Sequence, residues 1–276
     1  MRAEPDSQVL SPTAPDAAGP GWRIAVPAAV TLGSVACAAT AAYALVSMGW
    51  DPAAGTIAHP SHVMWAAWMI LAAEVFDSLD GLVARWLKAT SPFGLQLDSL
   101  ADAMSFGAAP ALLVAVAGGG TPWSLAAGLA MVLCAVVRVA RYNVEKPPEG
   151  APPLYFKGLA TPGAGGAIAS WVLLAGYLGG SPWTLGTIDA GLRAQLAQAL
   201  TAGLPAFGLL IAVLMVSNRR YPDLTKHYAR GVKPWWHLVV FAIAVVVAPE
   251  LALAAFFIGY VLRGLVAGPY APQRPA

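Results

Sequence analysis

Residues 77–102 read DSLDGLVARWLKATSPFGLQLDSLAD, and they hold four aspartates in a chain of which only 11% is charged. The segment borders long apolar runs, where an isolated carboxylate is costly and usually marks a functional site. Several like charges close together must be compensated. Divalent cations bind hard oxygen ligands, and Mg²⁺ commonly shares its coordination shell with substrate phosphates. The segment therefore predicts a site at which two divalent cations, Mg²⁺ or Mn²⁺, hold a diphosphate.

The spacing of these residues places them on one face of each of two helices. Residues three or four apart share a helix face. The first set is Asp77, Asp80, Gly81, Ala84 and Arg85, and the second is Gly94, Asp98 and Asp102. A short connection at Ser91-Pro92 makes the two helices antiparallel, which brings the four carboxylates to a similar depth. The glycines allow a ligand or the facing helix to approach the backbone, and the arginine suits a phosphate.

The composition requires a membrane setting for these two helices. Hydrophobic residues make up 58% of the 276 residues, whereas soluble domains carry about 25% charged residues. The net charge is only +2, and the basic residues are dispersed, so no nucleic-acid surface is expected. The chain is predicted to be a polytopic membrane protein in contact with membrane lipids.

Seven apolar stretches are long enough to cross a bilayer, for which about 20 residues suffice. They lie at 22–48, 62–87, 95–117, 122–143, 162–180, 196–216 and 235–267. The last is too long for one span and is interrupted at Pro249-Glu250, so the prediction is an all-α bundle of about eight transmembrane helices. With eight crossings, all of the 16 basic residues except Arg193 share the side of both termini. The positive-inside rule makes that side cytoplasmic, which predicts a protein of the inner (cytoplasmic) membrane whose active site faces the cytoplasm.

The spacing D-x2-D-G-x2-A-R-x8-G-x3-D-x3-D resembles the signature of the CDP-alcohol phosphatidyltransferases. The resemblance implies a homodimeric membrane enzyme that moves a phosphatidyl group from a CDP-linked lipid to an alcohol and releases CMP. It implies that Asp77, Asp80 and Asp98 hold the metals, and that Asp102 completes the metal site and is the general base. The residues that it implies for the cytidine diphosphate are Gly81, Ala84, Arg85 and Gly94. The transmembrane domain is expected at 22–267, between disordered tails at 1–21 and 268–276.

Four later segments resemble the membrane-embedded phosphatidylserine synthase branch of that family. They are AMSFGAAPALL (103–113), RVARYN (138–143), FKGLATPGAG (156–165) and SNRRYPDLTK (217–226). Two departures from the branch are Ala160, where proline is common, and VPAAVTLGS (26–34), which lacks a frequent asparagine. The resemblance implies CDP-diacylglycerol as donor and L-serine as acceptor.

A zwitterionic acceptor needs partners for its carboxylate and its ammonium group. Arg138, Arg141 and Lys157 could bind a carboxylate or the lipid phosphate, and Asn143 and Ser105 could orient polar groups. The alternative is that the three basic residues are ordinary cytoplasmic loop charges. Glu74 lies one turn before Asp77, where it either tunes the electrostatics of the site or makes a polar contact within the bundle.

Other functions remain open at the level of the sequence. The same chemistry could use choline, inositol phosphate or glycerol phosphate as the acceptor. A cation or proton-coupled transporter could also use buried carboxylates, but it predicts acids along a crossing pathway and internal repeats. The acids here cluster at one leaflet and no repeat is evident, which favours the enzyme.

Overall fold

The structure is a computed structural model that describes residues 22–47, 50–51, 56–57, 60–89, 91–145, 155–180, 189–222 and 236–269. The predicted tail at 1–21 lies outside the described residues, as does most of the predicted tail at 268–276. Six of the 16 basic residues that predict the membrane orientation also lie outside the described ranges: Arg2, Lys146, Lys226, Arg230, Lys233 and Arg274.

Helices form nearly all of the described structure. They are α1 (Trp22–Ser47), α2 (Pro60–Trp86), α3 (Pro92–Asp102), α4 (Ala109–Ala117), α5 (Pro122–Val144), α6 (Thr161–Gly180), α7 (Ala190–Val216), α8 (Trp236–Val247) and α9 (Pro249–Val266). A π-helical segment, Ala103–Ala108, joins α3 to α4, so that Pro92–Ala117 is one continuous helix. Two short antiparallel pairs accompany them: β1 (Trp50–Asp51) with β2 (Thr56–Ile57), and β3 (Tyr155–Lys157) with β4 (Arg220–Pro222).

Within the described ranges, six helices are long and apolar enough to cross a membrane. They are α1, the continuous helix Pro92–Ala117, α5, α6, α7 and α9. Helix α2 has 27 residues and a length of about 40 Å at 1.5 Å per residue. It is more highly charged than the six, because it carries Asp77, Asp80 and Arg85 of the segment 77–102. Together these helices confirm an all-α integral membrane protein. The break expected near Pro249 is also present, between α8 and α9.

Helix α7 begins earlier than the apolar pattern predicted. The expected span starts at residue 196, whereas the helix starts at Ala190. Asp189 caps it, because its Oδ2 accepts a hydrogen bond from the backbone amide of Leu192 at 3.1 Å. The first turns contain arginine and glutamine and do not register as apolar, so a hydropathy criterion passes over them.

Small side chains make up much of the bundle core. Alanines are fully buried on α1, α2 and α6, as at Ala41, Ala66 and Ala167. Small residues let helix backbones approach closely. In a bilayer, helices associate largely through such close packing, because the surrounding lipid is as apolar as the side chains. Large apolar side chains lie in the core as well, as at Leu113 and Ile168, and many others face outward, for example Leu129 and Leu133 of α5. The many outward-facing apolar side chains agree with a surrounding bilayer.

A short connection fixes the start of α3 relative to the end of α2. Ser91 is the N-cap of α3, and its Oγ accepts a hydrogen bond from the backbone amide of Gly94 at 3.0 Å. Pro92 occupies the first helical position, where its missing N–H costs no hydrogen bond. The helix therefore begins at a defined residue, which sets the rotation of the residues that follow.

The pair of strands β3 and β4 ties the start of α6 to the end of α7. The backbone amide of Leu159 donates to the carbonyl of Leu214 at 3.0 Å, and that of Gly158 donates to the carbonyl of Arg219 at 2.8 Å. Gly158 has φ +79°, and a Cβ there would lie 2.5 Å from the carbonyl oxygen of Met215. Glycine is thus required at this position both for its backbone conformation and for the close approach. The entry of the chain into α6 is consequently held in place.

Helix α6 also packs closely against α2 and α9 at Gly166. A Cβ at this position would overlap the ring of Phe257 and Oε1 of Glu74. The ring and the carboxylate thus occupy the space that the glycine leaves open. Gly259 of α9 differs, since a Cβ there would meet nothing within 4 Å.

Gly166→Ala is expected to destabilise the protein because the added methyl group forces apart three packed helices, at a cost of about 1–3 kcal/mol. Thermal unfolding of the purified protein in detergent, followed by intrinsic tryptophan fluorescence, measures the effect. Gly259→Ala is the matched control, since it adds the same methyl group in open space and is expected to leave the midpoint unchanged or slightly raised. Equal midpoints for the two variants would contradict this account of the packing.

Candidate active site

Three aspartates from two helices meet in the bundle. Asp77 belongs to α2, while Asp98 and Asp102 lie one turn apart on α3. One carboxylate oxygen from each lies within 4.8 Å of the other two. This geometry confirms the predicted meeting of carboxylates from the second and third helices for three of the four aspartates. All three side chains are half-buried.

Asp80 lies beside the three aspartates without belonging to their group. Its side chain is only 6% exposed, and its carboxyl group lies beside the hydroxyl of Thr31 on α1 and the backbone amide of Gly81. Its Oδ2 is buried and has no hydrogen-bond partner among the described residues. Asp80 still acts electrostatically on Asp77, so the fourth carboxylate remains next to the site.

The donor atoms suit hard divalent cations. Every candidate ligand is a carboxylate oxygen, the donor type that Mg²⁺ and Mn²⁺ prefer. Within the described part of the chain, Oδ1 of Asp102 and Oδ2 of Asp80 are buried without a hydrogen-bond partner. Buried polar atoms are normally paired, so such orphans call for an ion or a ligand. The residues present therefore fit a metal site.

The residues expected at the cytidine diphosphate lie between the aspartates and the α2–α3 connection. Gly81 follows Asp77 by one turn, and a Cβ there would lie 3.5 Å from Nη1 of Arg85. The guanidinium of Arg85 thus extends over the glycine, and this side chain is exposed. Ala84 is half-buried on the same helix, and Gly94 lies in the first turn of α3.

A chain of hydrogen bonds reaches Asp102 from two other helices. Nη1 of Arg138 on α5 donates to Oγ1 of Thr161 at 3.1 Å, and Oγ1 of Thr161 donates to Oδ2 of Asp102 at 3.3 Å. Arg138 is 6% exposed and Thr161 is fully buried. Thr161 was not among the residues singled out from the sequence. Its sequence signals were its place in the segment FKGLATPGAG and before Pro162 at a helix start, and neither gives any hint of a contact 59 residues away.

Arg141 binds backbone at the end of α7. Its guanidinium donates to the carbonyls of Met215 at 3.1 Å and Val216 at 2.9 Å, and also to that of Lys157 at 3.1 Å. The carbonyls of Met215 and Val216 lie in the last turn of α7, where helix carbonyls lack a partner within the helix, so the arginine satisfies them. Its contacts hold α5, α7 and β3 together.

The other residues predicted for the acceptor are spread over several places. Nζ of Lys157 pairs with Oε1 of Glu145 at 2.8 Å, and Nδ2 of Asn143 donates to Oγ of Ser99 at 3.0 Å. Ser105 lies in the π-helical segment just beyond Asp102, is fully buried, and its Oγ has no hydrogen-bond partner among the described residues. Ser105 follows Asp102 by three residues on the same continuous helix, and Asn143 contacts that helix at Ser99, three residues before Asp102.

Glu74 lies between the aspartates and α6. Its carboxylate acts on Asp77 and faces the backbone amide of Gly166. Its Oε1 is buried with no hydrogen-bond partner among the described residues. Both interpretations made from the sequence therefore agree with its position, since it has a polar contact within the bundle and lies close enough to influence the site.

Comparison with known proteins places this site in a family. The family model for CDP-alcohol phosphatidyltransferase matches residues 24–192, which include every residue of the aspartate motif. The enzyme named CDP-diacylglycerol–serine O-phosphatidyltransferase in Helicobacter pylori is 31% identical over 206 residues, covering 73% of this chain and 78% of the relative. The enzyme of that name in Methanocaldococcus jannaschii is 29% identical over 198 residues, covering 72% of this chain and 81% of the relative.

A third relative of the same name matches over a smaller share of its own length. The Mycobacterium tuberculosis enzyme of the same name is 29% identical over 199 residues, covering 70% of this chain and 63% of the relative. The family match spans more than half of the chain, and three aspartates of its motif meet in the structure. The chain therefore belongs to the CDP-alcohol phosphatidyltransferase family.

Proposed function

We propose that this protein transfers the phosphatidyl group of CDP-diacylglycerol to the hydroxyl of L-serine, forming phosphatidylserine and CMP. The observation that carries the proposal is the meeting of Asp77, Asp98 and Asp102, with one oxygen of each within 4.8 Å of the others, in a chain of this family. The relatives that cover most of the chain are named for serine as acceptor. No observation favours choline, inositol phosphate or glycerol phosphate over serine.

Asp77, Asp98 and Asp102, with Asp80 beside them, would hold two divalent cations, Mg²⁺ or Mn²⁺. Such ions neutralise the negative charge of the diphosphate and the charge that develops on CMP as it leaves. Arg85 is exposed beyond Gly81 and is suited to a charge-assisted hydrogen bond with a phosphate oxygen. Gly81, Ala84 and Gly94 offer small surfaces along which the nucleotide can lie against the helices.

The transfer itself exchanges one P–O bond for another. The serine hydroxyl oxygen attacks the phosphorus that carries the diacylglycerol, and its proton passes to the carboxylate of Asp102. The bond from that phosphorus to the oxygen bridging to CMP breaks, and CMP leaves with the electron pair. Asp102 suits the role of general base because it belongs to the carboxylate group and has one buried oxygen without a hydrogen-bond partner among the described residues.

For the acceptor, Ser105 is the best supported of the predicted contacts, since its buried hydroxyl follows Asp102 by one turn. Arg141, Asn143 and Lys157 were predicted as contacts of the acceptor or of the lipid phosphate. Each has a partner within the protein, so we propose instead that they shape the surroundings of the acceptor. Arg138 was predicted as a ligand of the acceptor or of the lipid phosphate. Its hydrogen bond to Thr161 supports another role, which is argued below.

We further propose eight crossings, both termini in the cytoplasm and a homodimer in the inner membrane, with the active site facing the cytoplasm. The support for the orientation is the distribution of basic residues, all but Arg193 falling on one side when eight crossings are counted. The cytidine diphosphate part of the donor is polar, and serine is water-soluble. A site that opens to the cytoplasm gives both access to the aspartates.

The acceptor is tested by incubating the purified protein with CDP-diacylglycerol and Mn²⁺ or Mg²⁺ and adding one alcohol at a time. CMP release is expected with L-serine, and lipid extraction should show phosphatidylserine in equal amount. If CMP release depends instead on glycerol phosphate, inositol phosphate or choline, serine is not the acceptor. The phosphatidyl transfer typical of the family would still stand. Omitting the metal, or adding a chelator, should abolish release.

Asp102→Asn is expected to lower kcat for CMP release by about 10²-fold to 10⁴-fold, the usual contribution of a general base. The amide keeps the size of the side chain but cannot accept the proton. Glu250→Gln is the control, since it removes a carboxylate at the first turn of α9, away from the aspartate group. Retention of wild-type turnover by Asp102→Asn in folded protein would rule out its role as the base.

Asp98→Asn is expected to weaken Mn²⁺ binding to the protein without substrates by at least about tenfold. Loss of an outer-shell partner of a metal ligand can already cost that much, and Asp98 is proposed as a direct ligand. The electron paramagnetic resonance signal of free Mn²⁺ measures this binding directly. Glu250→Gln again serves as the control and should bind Mn²⁺ as the wild type does. Unchanged affinity in Asp98→Asn would exclude this carboxylate from the metal site.

A further inference from the structure

The hydrogen-bond chain from Arg138 through Thr161 to Asp102 has a fixed direction. A guanidinium group has only donors and does not lose its proton in proteins. Oγ1 of Thr161 accepts the hydrogen bond from Arg138 at 3.1 Å, so its own hydrogen is free for Oδ2 of Asp102, at 3.3 Å. Oδ2 must therefore act as an acceptor. The two oxygens of Asp102 are thereby made different.

The other oxygen of Asp102 has no such partner. Oδ1 is buried and makes no hydrogen bond to any described residue. Because Oδ2 is occupied by Thr161, Oδ1 is the oxygen left for an ion or for the reacting hydroxyl. A buried acceptor of this kind is costly unless something outside the protein satisfies it.

We infer that Thr161 is a positioning residue that fixes Oδ2 of Asp102 and leaves Oδ1 to take the proton of the acceptor alcohol, and that Arg138 acts through Thr161. This inference rests on the proposed function, in which Asp102 is the base. Thr161 holds the carboxylate, and Arg138 holds the hydroxyl of Thr161 in the orientation that points its hydrogen at Asp102. Neither residue needs to touch the substrate.

The backbone around Thr161 supports this role. Thr161 is the first residue of α6, and the positive end of a helix dipole favours a nearby carboxylate. The segment before it is held by the hydrogen bond from Leu159 to Leu214 and by the required glycine at 158. The hydroxyl is thus presented from a rigid helix start, as precise positioning requires.

The test compares Thr161→Val, which replaces the hydroxyl by a methyl group of similar size, with Thr161→Ser, which keeps the hydroxyl. Thr161→Val is expected to lower kcat about 10-fold to 100-fold, the usual effect of losing a partner that orients a ligand or base. At saturating Mn²⁺, the KM values for CDP-diacylglycerol and serine should stay within about threefold, since the lost contact orients the base and binds no substrate. Thr161→Ser should restore kcat to within about fivefold of the wild type, because its hydroxyl can make the same two hydrogen bonds.

Ser170→Ala is the matched control on the same helix. Ser170 is fully buried, and its Oγ donates only to the carbonyl of Ala167 within α6, at 3.1 Å. Loss of this hydroxyl should leave kcat unchanged. An equal loss of kcat in Ser170→Ala and Thr161→Val would show a general effect on α6 and overturn the inference. So would a wild-type kcat in Thr161→Val, or a large rise in its KM for serine.

The part of Arg138 is tested with Arg138→Met, alone and combined with Thr161→Val. If Arg138 acts through Thr161, the combination should be less than about threefold slower than Thr161→Val alone, since coupled residues are not additive. If the losses of kcat in the two single variants multiply in the combination, and the KM for either substrate rises, Arg138 binds substrate directly. Should Arg138→Met fail to fold, the comparison of valine with serine at position 161 still decides the role of Thr161.

Binding of Mn²⁺ separates this inference from the proposed function. In protein without substrates, Thr161→Val should weaken Mn²⁺ binding about tenfold or more, whereas Thr161→Ser should not, because an outer-shell partner orients the ligand. A wild-type protein that releases no CMP with any alcohol would refute the proposed function alone. Equal Mn²⁺ affinity in wild type and Thr161→Val would refute the positioning role, whatever reaction the protein catalyses.

Discussion

The repulsion between Asp77, Asp98 and Asp102 is the constraint on which the rest of the structure depends. Two unit charges 4 Å apart repel by about 4 kcal/mol at an effective dielectric constant of about 20. Free side chains would separate, so the carboxylates stay together only if their helices cannot move apart. The alanine-rich contacts among α1, α2 and α6 and the Ser91 cap on α3 supply that rigidity. The protein thus maintains an unfavourable arrangement of charge that a cation can relieve.

Helix α6 opposes this repulsion from the other side of the site. Its first residue donates a hydrogen bond to Asp102, and its Gly166 lets α2 and α9 pack against it. Strands β3 and β4 then fix where the helix begins. A helix held at its start and packed along its length can present one hydroxyl at a defined position. The elements far from the aspartates in sequence therefore decide how Asp102 is oriented.

The parts of the site that follow from local spacing could be predicted, and those that depend on distant contacts could not. Residues three or four apart share a helix face, so Asp98 and Asp102 could be paired with Asp77 across a short connection. Thr161 reaches Asp102 over 59 residues, and no local pattern records such a contact. The π-helical segment at Ala103–Ala108 was also missed, because it lies within an apolar stretch that predicts one uninterrupted α-helix. Helix positions followed from apolar length, except where polar first turns extend α7.

The arginines show why charge alone does not reveal a residue's role. The positive-inside rule treats Arg138, Arg141 and Arg219 alike. In the structure, Arg141 binds carbonyls at the end of α7, and Arg219 does the same at the end of α9, donating to Leu265 at 2.8 Å and Ala267 at 3.1 Å. Arg138 is instead buried against the hydroxyl of Thr161, which contacts Asp102. A guanidinium among helix ends satisfies carbonyls for which lipid offers no hydrogen-bond donor, whereas Arg138 orients a hydroxyl toward a carboxylate. The count of basic residues thus predicts the side of the membrane, and the hydrogen-bond partner determines the role.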